Sequence, residues 1–136
     1  PTGLSVIAPE KMSEKAFIPI SVAGAHGLDI DDKESLAYVA CDGAAVVVLD
    51  LSTGTEKAVI PIGGGPDVVW LNREKNHLYC AIGKPGVIEV INTQKLTVDE
   101  KVCTEEGAHT FTFDKKRKRL YAFLPKSGRM TIYKET

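Results

Sequence analysis

Three side chains in this sequence could act together: His26, Asp67 and His109. They stand 41 and 42 residues apart, and each lies five residues before a polar residue that closes an apolar run, Asp31, Asn72 and Asp114. Two imidazoles and a carboxylate that converge could bind a metal ion or polarise a ligand. Each could equally cap the Gly-rich turn it follows, in Gly24-Ala25-His26, Gly65-Pro66-Asp67 and Gly107-Ala108-His109. The elements that carry these residues decide whether they meet.

Those elements repeat. A tyrosine follows seven residues after each closing residue, at Tyr38, Tyr79 and Tyr121, and a later apolar run is centred on Val48, Val90 and Ile132. A period near 42 with four short strands per unit is what a propeller blade requires. We name the strands A to D. Strand A is expected over Gly27–Asp31, Val68–Asn72 and Thr110–Asp114, and strand B over Leu36–Ala40, Leu78–Ile82 and Leu120–Leu124. Glycine-bearing turns at Gly43, Gly86 and Gly128 lead to strand C at Val46–Leu49, Val87–Ile91 and Met130–Tyr133. Strand D is expected over Ala58–Ile62 and Val98–Cys103. Repeat one has the shorter connection between strands B and C. The C runs are apolar on both faces, which suits sheets stacked between sheets.

The opening residues share the period: Val6 lies 42 before Val48 and Pro19 lies 42 before Pro61. Leu4–Ala8 therefore reads as a strand C and Ala16–Val22 as a strand D. The fold class is all-β, with blades of four antiparallel strands and three blades' worth per chain. The divisions are 1–24 (strands C and D of a shared blade), 25–65 and 66–107 (whole blades), and 108–136 (strands A to C of a shared blade). Closed propellers need about four to eight blades. Two copies would complete a six-bladed ring, so a homodimer or higher homo-oligomer is expected. The surplus strand at Leu4–Ala8 suits equally a piece cut from a longer propeller.

The unit resembles the YVTN-type β-propeller repeat family. Tyr38-Val39-Ala40, Val46-Val47-Val48-Leu49-Asp50 and Gly63-Gly64-Gly65-Pro66 carry the likeness in the first repeat. Leu78-Tyr79 with Val87–Asn92 carries it in the second, and Leu120-Tyr121 with Thr131-Ile132-Tyr133 in the third. The Asn of the motif is missing; Cys41, Ile82 and Leu124 stand near its place. The resemblance implies a propeller and leaves function open, because such domains include binding scaffolds, lactonase-like enzymes and parts of redox enzymes.

In a propeller, strand A lines the central channel and the D-to-A connections form one rim. His26, Asp67 and His109 enter strand A and so belong to that rim as ligand-binding residues. The basic run Lys115-Lys116-Arg117-Lys118-Arg119 lies on an A-to-B turn at the opposite face. It is a weak phosphate-contacting candidate, with a solvated turn as the plain alternative. Trp70 reads as core filler, His77 as a surface residue, and Cys41, Cys80 and Cys103 as small buried hydrophobes.

Charge excludes more than it suggests. Lys and Arg number 17 against 18 Asp and Glu, so no global field favours nucleic acid or an anionic membrane. No apolar run approaches the roughly 18 residues of a membrane-spanning helix. No phosphate loop, nucleophile elbow or haem-attachment motif is present. The expectation is a non-enzymatic binding scaffold that recognises a ligand or protein at the rim. A metal-assisted hydrolase using the rim residues, and nucleic-acid binding through the basic hairpin, are the alternatives. No cofactor or metal is assigned. Unpaired cysteines favour the cytoplasm slightly, whereas the resemblance points to export.

Overall fold

The computed structural model describes residues 2–135. Among them there are thirteen strands, and every strand pairing is antiparallel. Strands β1 (Gly3–Ala8) and β2 (Ser13–Pro19) form a two-stranded sheet. Strands β3 (Ala25–Asp31), β4 (Leu36–Cys41), β5 (Ala45–Asp50) and β6 (Thr55–Pro61) form a four-stranded sheet in chain order. So do β7 (Pro66–Asn72), β8 (His77–Ile82), β9 (Val87–Asn92) and β10 (Thr97–Cys103). The last sheet has three strands, β11 (Phe111–Asp114), β12 (Arg119–Leu124) and β13 (Arg129–Lys134).

These sheets are blade-like meanders, and the expected repeat holds in register. Tyr38 pairs with Val48, Tyr79 with Val90 and Tyr121 with Ile132. The short B-to-C connection of repeat one spans 42–44, against 83–86 and 125–128 in the others. The positive-φ residue there is Ala44, in line with Gly86 and Gly128. Gly43, one residue earlier, serves packing instead: a Cβ there would lie 2.6 Å from Val22 Cγ1.

The hairpin turns share a device. A carboxylate or amide at the end of a strand accepts hydrogen bonds from backbone amides two and three residues on. Asp31 Oδ1 takes Lys33 and Glu34 at 3.1 Å, Asp50 Oδ1 takes Ser52 at 2.8 Å and Thr53 at 3.2 Å, and Asn92 Oδ1 takes Gln94 and Lys95 at 3.0 Å. These side-chain turns fix the chain reversal locally.

Two corrections concern the outer strands. The D strands β2 and β6 begin three residues earlier than their apolar runs, at Ser13 and Thr55, and β2 ends at Pro19, three residues before the expected Val22. Both are largely exposed, so polar residues such as Glu14 and Glu56 pair in the ladder as readily as valine. Second, Cys103 is exposed, because it ends the outermost strand β10; Cys41 and Cys80 are buried.

The core lies between the sheets. Tyr38, Ala40, Val46 and Val48 of the first four-stranded sheet meet Val69, Leu71, Leu78, Cys80 and Ile91 of the second. Tyr79, Ala81, Ile88 and Val90 meet Phe111, Leu120 and Ala122 of the last sheet. On the other side of the first whole blade, Ala37, Val39, Val47 and Leu49 receive Ile18 and Ile20. Strand C of the second blade holds one charge in this core, Glu89. It pairs with Lys101 Nζ at 2.8 Å and accepts the Gly63 amide at 3.1 Å.

Candidate binding rim

The three residues singled out by spacing come together, and irregular pairing is what aims two of them. The register of β3 with β4 shifts between Ala25 and Leu28, and that of β7 with β8 between Pro66 and Val69. His26 and Asp67 thus sit in bulges at the mouths of their A strands, where an unpaired residue redirects its side chain. His109 stands just before β11, and its carbonyl accepts the Val68 amide at 3.4 Å. Gly27 lets the first two strands approach: a Cβ there would lie 1.9 Å from the Asp67 carbonyl oxygen.

Asp67 is the hub. Its Oδ2 lies 2.7 Å from His109 Nδ1, and its Oδ1 lies 3.9 Å from His26 Nδ1. His26 Nε2 in turn lies 3.3 Å from Asp42 Oδ2. The four side chains form a string, Asp42–His26–Asp67–His109, and each is roughly half exposed. With Nδ1 of His109 donating to the carboxylate, its Nε2 is the acceptor nitrogen left for a ligand. Such a string can orient a polar ligand by hydrogen bonds of either sense. Among the described residues, no group of three or more His, Cys, Asp and Glu side chains is arranged to hold a metal ion.

Asp42 was missed by the spacing argument. Its counterparts at the end of strand B are Gly83 and Pro125, so the position carries a carboxylate in only one repeat. The cue available was its place directly after Cys41 and before a turn, at the same end of the blade as His26.

The basic run does not form one patch. Arg117 is held by Asp114 at 2.8 Å, and Lys115 Nζ lies 5.2 Å from the centre of the Trp70 ring. Lys115 and Lys118 line a concavity of about 630 Å³, together with Lys33, Arg73, Trp70 and Phe113. Trp70 is therefore more than filler: it is half-buried, and it stacks with Phe113 at 4.4 Å between ring centres. His77 opens β8, is half-buried, and meets the Tyr79 ring edge-on at 6.2 Å. Burial raises the Tyr79 hydroxyl pKa, and so does its hydrogen bond to Glu135. Burial likewise raises that of the Cys80 thiol.

No family model matches the chain, and no curated protein matches it. Among solved structures it is similar to a chain of Kuenenia stuttgartiensis hydrazine synthase, with a TM-score of 0.70 at 12% identity. The match covers 81% of this chain and 32% of that one, so the chain spans about a third of the length of its structural neighbour. At that identity the likeness concerns the fold alone, an all-β arrangement of antiparallel sheets consistent with a β-propeller.

Proposed function

We propose that this chain is a β-propeller binding scaffold of the YVTN type, and that it recognises a polar ligand or protein at the rim built by His26, Asp67 and His109, with Asp42 added. The observation that carries this reading is the string of converging polar side chains, of which His109 and Asp67 are hydrogen-bonded at 2.7 Å. Residues from three successive repeats meet, and Asp67 presents one carboxylate oxygen to each imidazole. Thr110 Oγ1 lies 3.4 Å from His109 Nδ1, but Asp67 engages that nitrogen at 2.7 Å, so it is not free to activate the hydroxyl, which favours binding over nucleophilic catalysis. A fragment library of small polar amides, alcohols and amines, screened by amide-detected NMR, tests it. Hits should shift residues 24–27, 65–68 and 107–110, and should weaken at least about tenfold in Asp67→Asn. Hits that map elsewhere, or that bind Asp67→Asn equally well, would overturn the reading. Saturable ester hydrolysis lost in His109→Ala would replace it with the hydrolase alternative.

A second observation favours assembly with another copy. Phe123, Met130 and Ile132 are exposed on the outer face of the last sheet, in the positions where Ala81, Ile88 and Val90 are covered. Leu28 and Ile30 are exposed on β3, in the positions where Val69 and Leu71 are covered. The two uncovered faces are thus repeat equivalents of faces that pack together within the chain. A head-to-tail pair of copies would join them twice and close a six-bladed ring. The structure alters how this would happen. Strand β2 is already paired with β1 through six partners, so one of the strand-C equivalents, β1 or β13, must leave its place. Light scattering decides: a particle of twice 14.7 kDa supports closure, and a stable monomer of 14.7 kDa refutes it.

A further inference from the structure

At the end of the A strands opposite the histidine rim lies the concavity of about 630 Å³. Its size is that of a small-molecule site, for which roughly 300–1,000 Å³ is usual. One wall is aromatic. Trp70 and Phe113 stack at 4.4 Å with their planes 24° apart, and Tyr79 stacks on Phe113 at 5.6 Å. The other wall is charged, with Lys33, Arg73, Lys115 and Lys118 beside Asp29, Asp32, Glu74 and Glu135.

Formal charge there nearly cancels, so hydrogen-bonding capacity decides what can enter. The acids are mostly committed. Asp29 Oδ2 accepts the Leu71 amide at 2.6 Å, Asp32 is paired with Arg73, and Glu135 accepts from Asn72 Nδ2 at 2.6 Å and from the Tyr79 hydroxyl. Donors are left over. Among the described residues the ammonium groups of Lys33 and Lys118 have no ion-pair partner, and Arg73 Nε is buried without an acceptor. Lys115 is engaged only with the Trp70 ring face, a weak contact at an exposed site and easily exchanged. A cavity with spare cationic donors beside a stacked aromatic wall suits a planar ring that carries an oxyanion.

We propose that this concavity is a second binding site, for a small aromatic anion of the nucleoside monophosphate class. The ring lies along the Trp70–Phe113 wall and the phosphate meets the ammonium groups of Lys115 and Lys118. A mononucleotide is favoured over a nucleic-acid strand for two reasons. Arg117 is tied to Asp114, so the basic run presents no continuous track for a backbone, and the formal net charge of the chain is -1.

Trp70 is the only tryptophan, so its fluorescence reports this site alone. Adenosine 5′-monophosphate added to the full chain should quench it saturably, and the apparent affinity should fall as salt rises. The charge reversals Lys115→Glu and Lys118→Glu together should weaken binding at least about tenfold, as should replacing the ligand with adenosine or with inorganic phosphate. Asp67→Asn should leave it unchanged, which separates this site from the rim. No saturable change by fluorescence or by NMR at millimolar ligand would overturn the proposal. So would binding that survives the double reversal, or adenosine binding as tightly as its monophosphate. Tighter binding of an oligonucleotide than of the monophosphate, with salt dependence through Lys116 and Arg119, would show the partner to be a nucleic-acid strand instead.

Discussion

The second whole blade and the last sheet carry the same repeat and live in different surroundings. Val90 is 5% exposed and its counterpart Ile132 is 54% exposed; Ile88 is 2% exposed and its counterpart Met130 is 64% exposed. Strand identity, register and residue class match, and only the neighbour differs. Burial in this arrangement is therefore conferred by the adjacent sheet. A repeat chain of this kind gains stability from interfaces, each roughly additive with the next. The last sheet leaves Phe123, Met130 and Ile132 exposed on a face whose counterpart is covered within the chain.

The largest expected effect follows from that contrast. Ile91→Ala, in the sealed interface, should cost about 3 kcal/mol through lost burial and a residual cavity. In the monomer Ile132→Ala should cost less than about 0.5 kcal/mol, as at an ordinary surface position; where a second copy covers the face it should cost more. Urea denaturation with a constant slope measures both. Should Ile132→Ala cost as much as Ile91→Ala, and its cost depend on protein concentration, a second copy covers that face. The contrast then belongs to the isolated chain.

A smaller effect is expected at Gly27, where the two whole blades touch at the rim. Gly27→Ala should destabilise by about 2 kcal/mol, since the added methyl cannot coexist with the Asp67 carbonyl in its present place. It should also part His26 from Asp67 while leaving the His109–Asp67 bond intact, which imidazole nitrogen NMR would read. Equal loss of both histidine contacts would mean that the string is one unit and not two separable links.

The smallest effect compares Asp31 with its counterpart Asp114. Burial by itself would raise the Asp31 pKa. The Arg73 hydrogen bond at 2.8 Å, the turn amides and the Arg73 charge outweigh it and hold the carboxyl below its ordinary value. A depressed folded pKa means stabilisation that is fully present above the unfolded value and is lost as pH falls through the folded one. Stability should therefore begin to fall below about pH 4, and Asp31→Asn should flatten part of that acid limb. Asp114 is also held low, first by its Arg117 hydrogen bond, but that pair is exposed and screened. Asp114→Asn should change the acid limb less, most clearly at high salt. An equal change would show that the blade interface adds nothing to the Asp31 pair.

The strand order and the packing between sheets were legible because both rest on period and alternation; the B and C strands fall within a residue of where the sequence pattern puts them, whereas β3 and β7 begin two residues before the expected strand A. The D strands were misjudged at their starts, since exposed outer strands tolerate Glu14 and Glu56 and so hide their own length. His26, Asp67 and His109 were legible by equivalence alone. Asp42 was not, since its position is Gly83 and Pro125 elsewhere. The Trp70–Lys115 contact was also hidden. It joins two blades, and nothing local to either residue announces the other; the same holds for the exposure of Cys103 at the end of β10.

The side-chain turns at Asp31, Asp50 and Asn92 carry one more consequence. Each fixes a reversal using atoms no more than three residues apart in the chain, before any blade interface exists. Loop-closure entropy for every meander is therefore small, and the contacts formed first are those between sequence neighbours. Either four-stranded meander should therefore be able to form first, with the next sheet added by docking. A circular permutation opened at Gly64, between the first whole blade and the second, should leave the folding rate of each meander unchanged and slow only their docking.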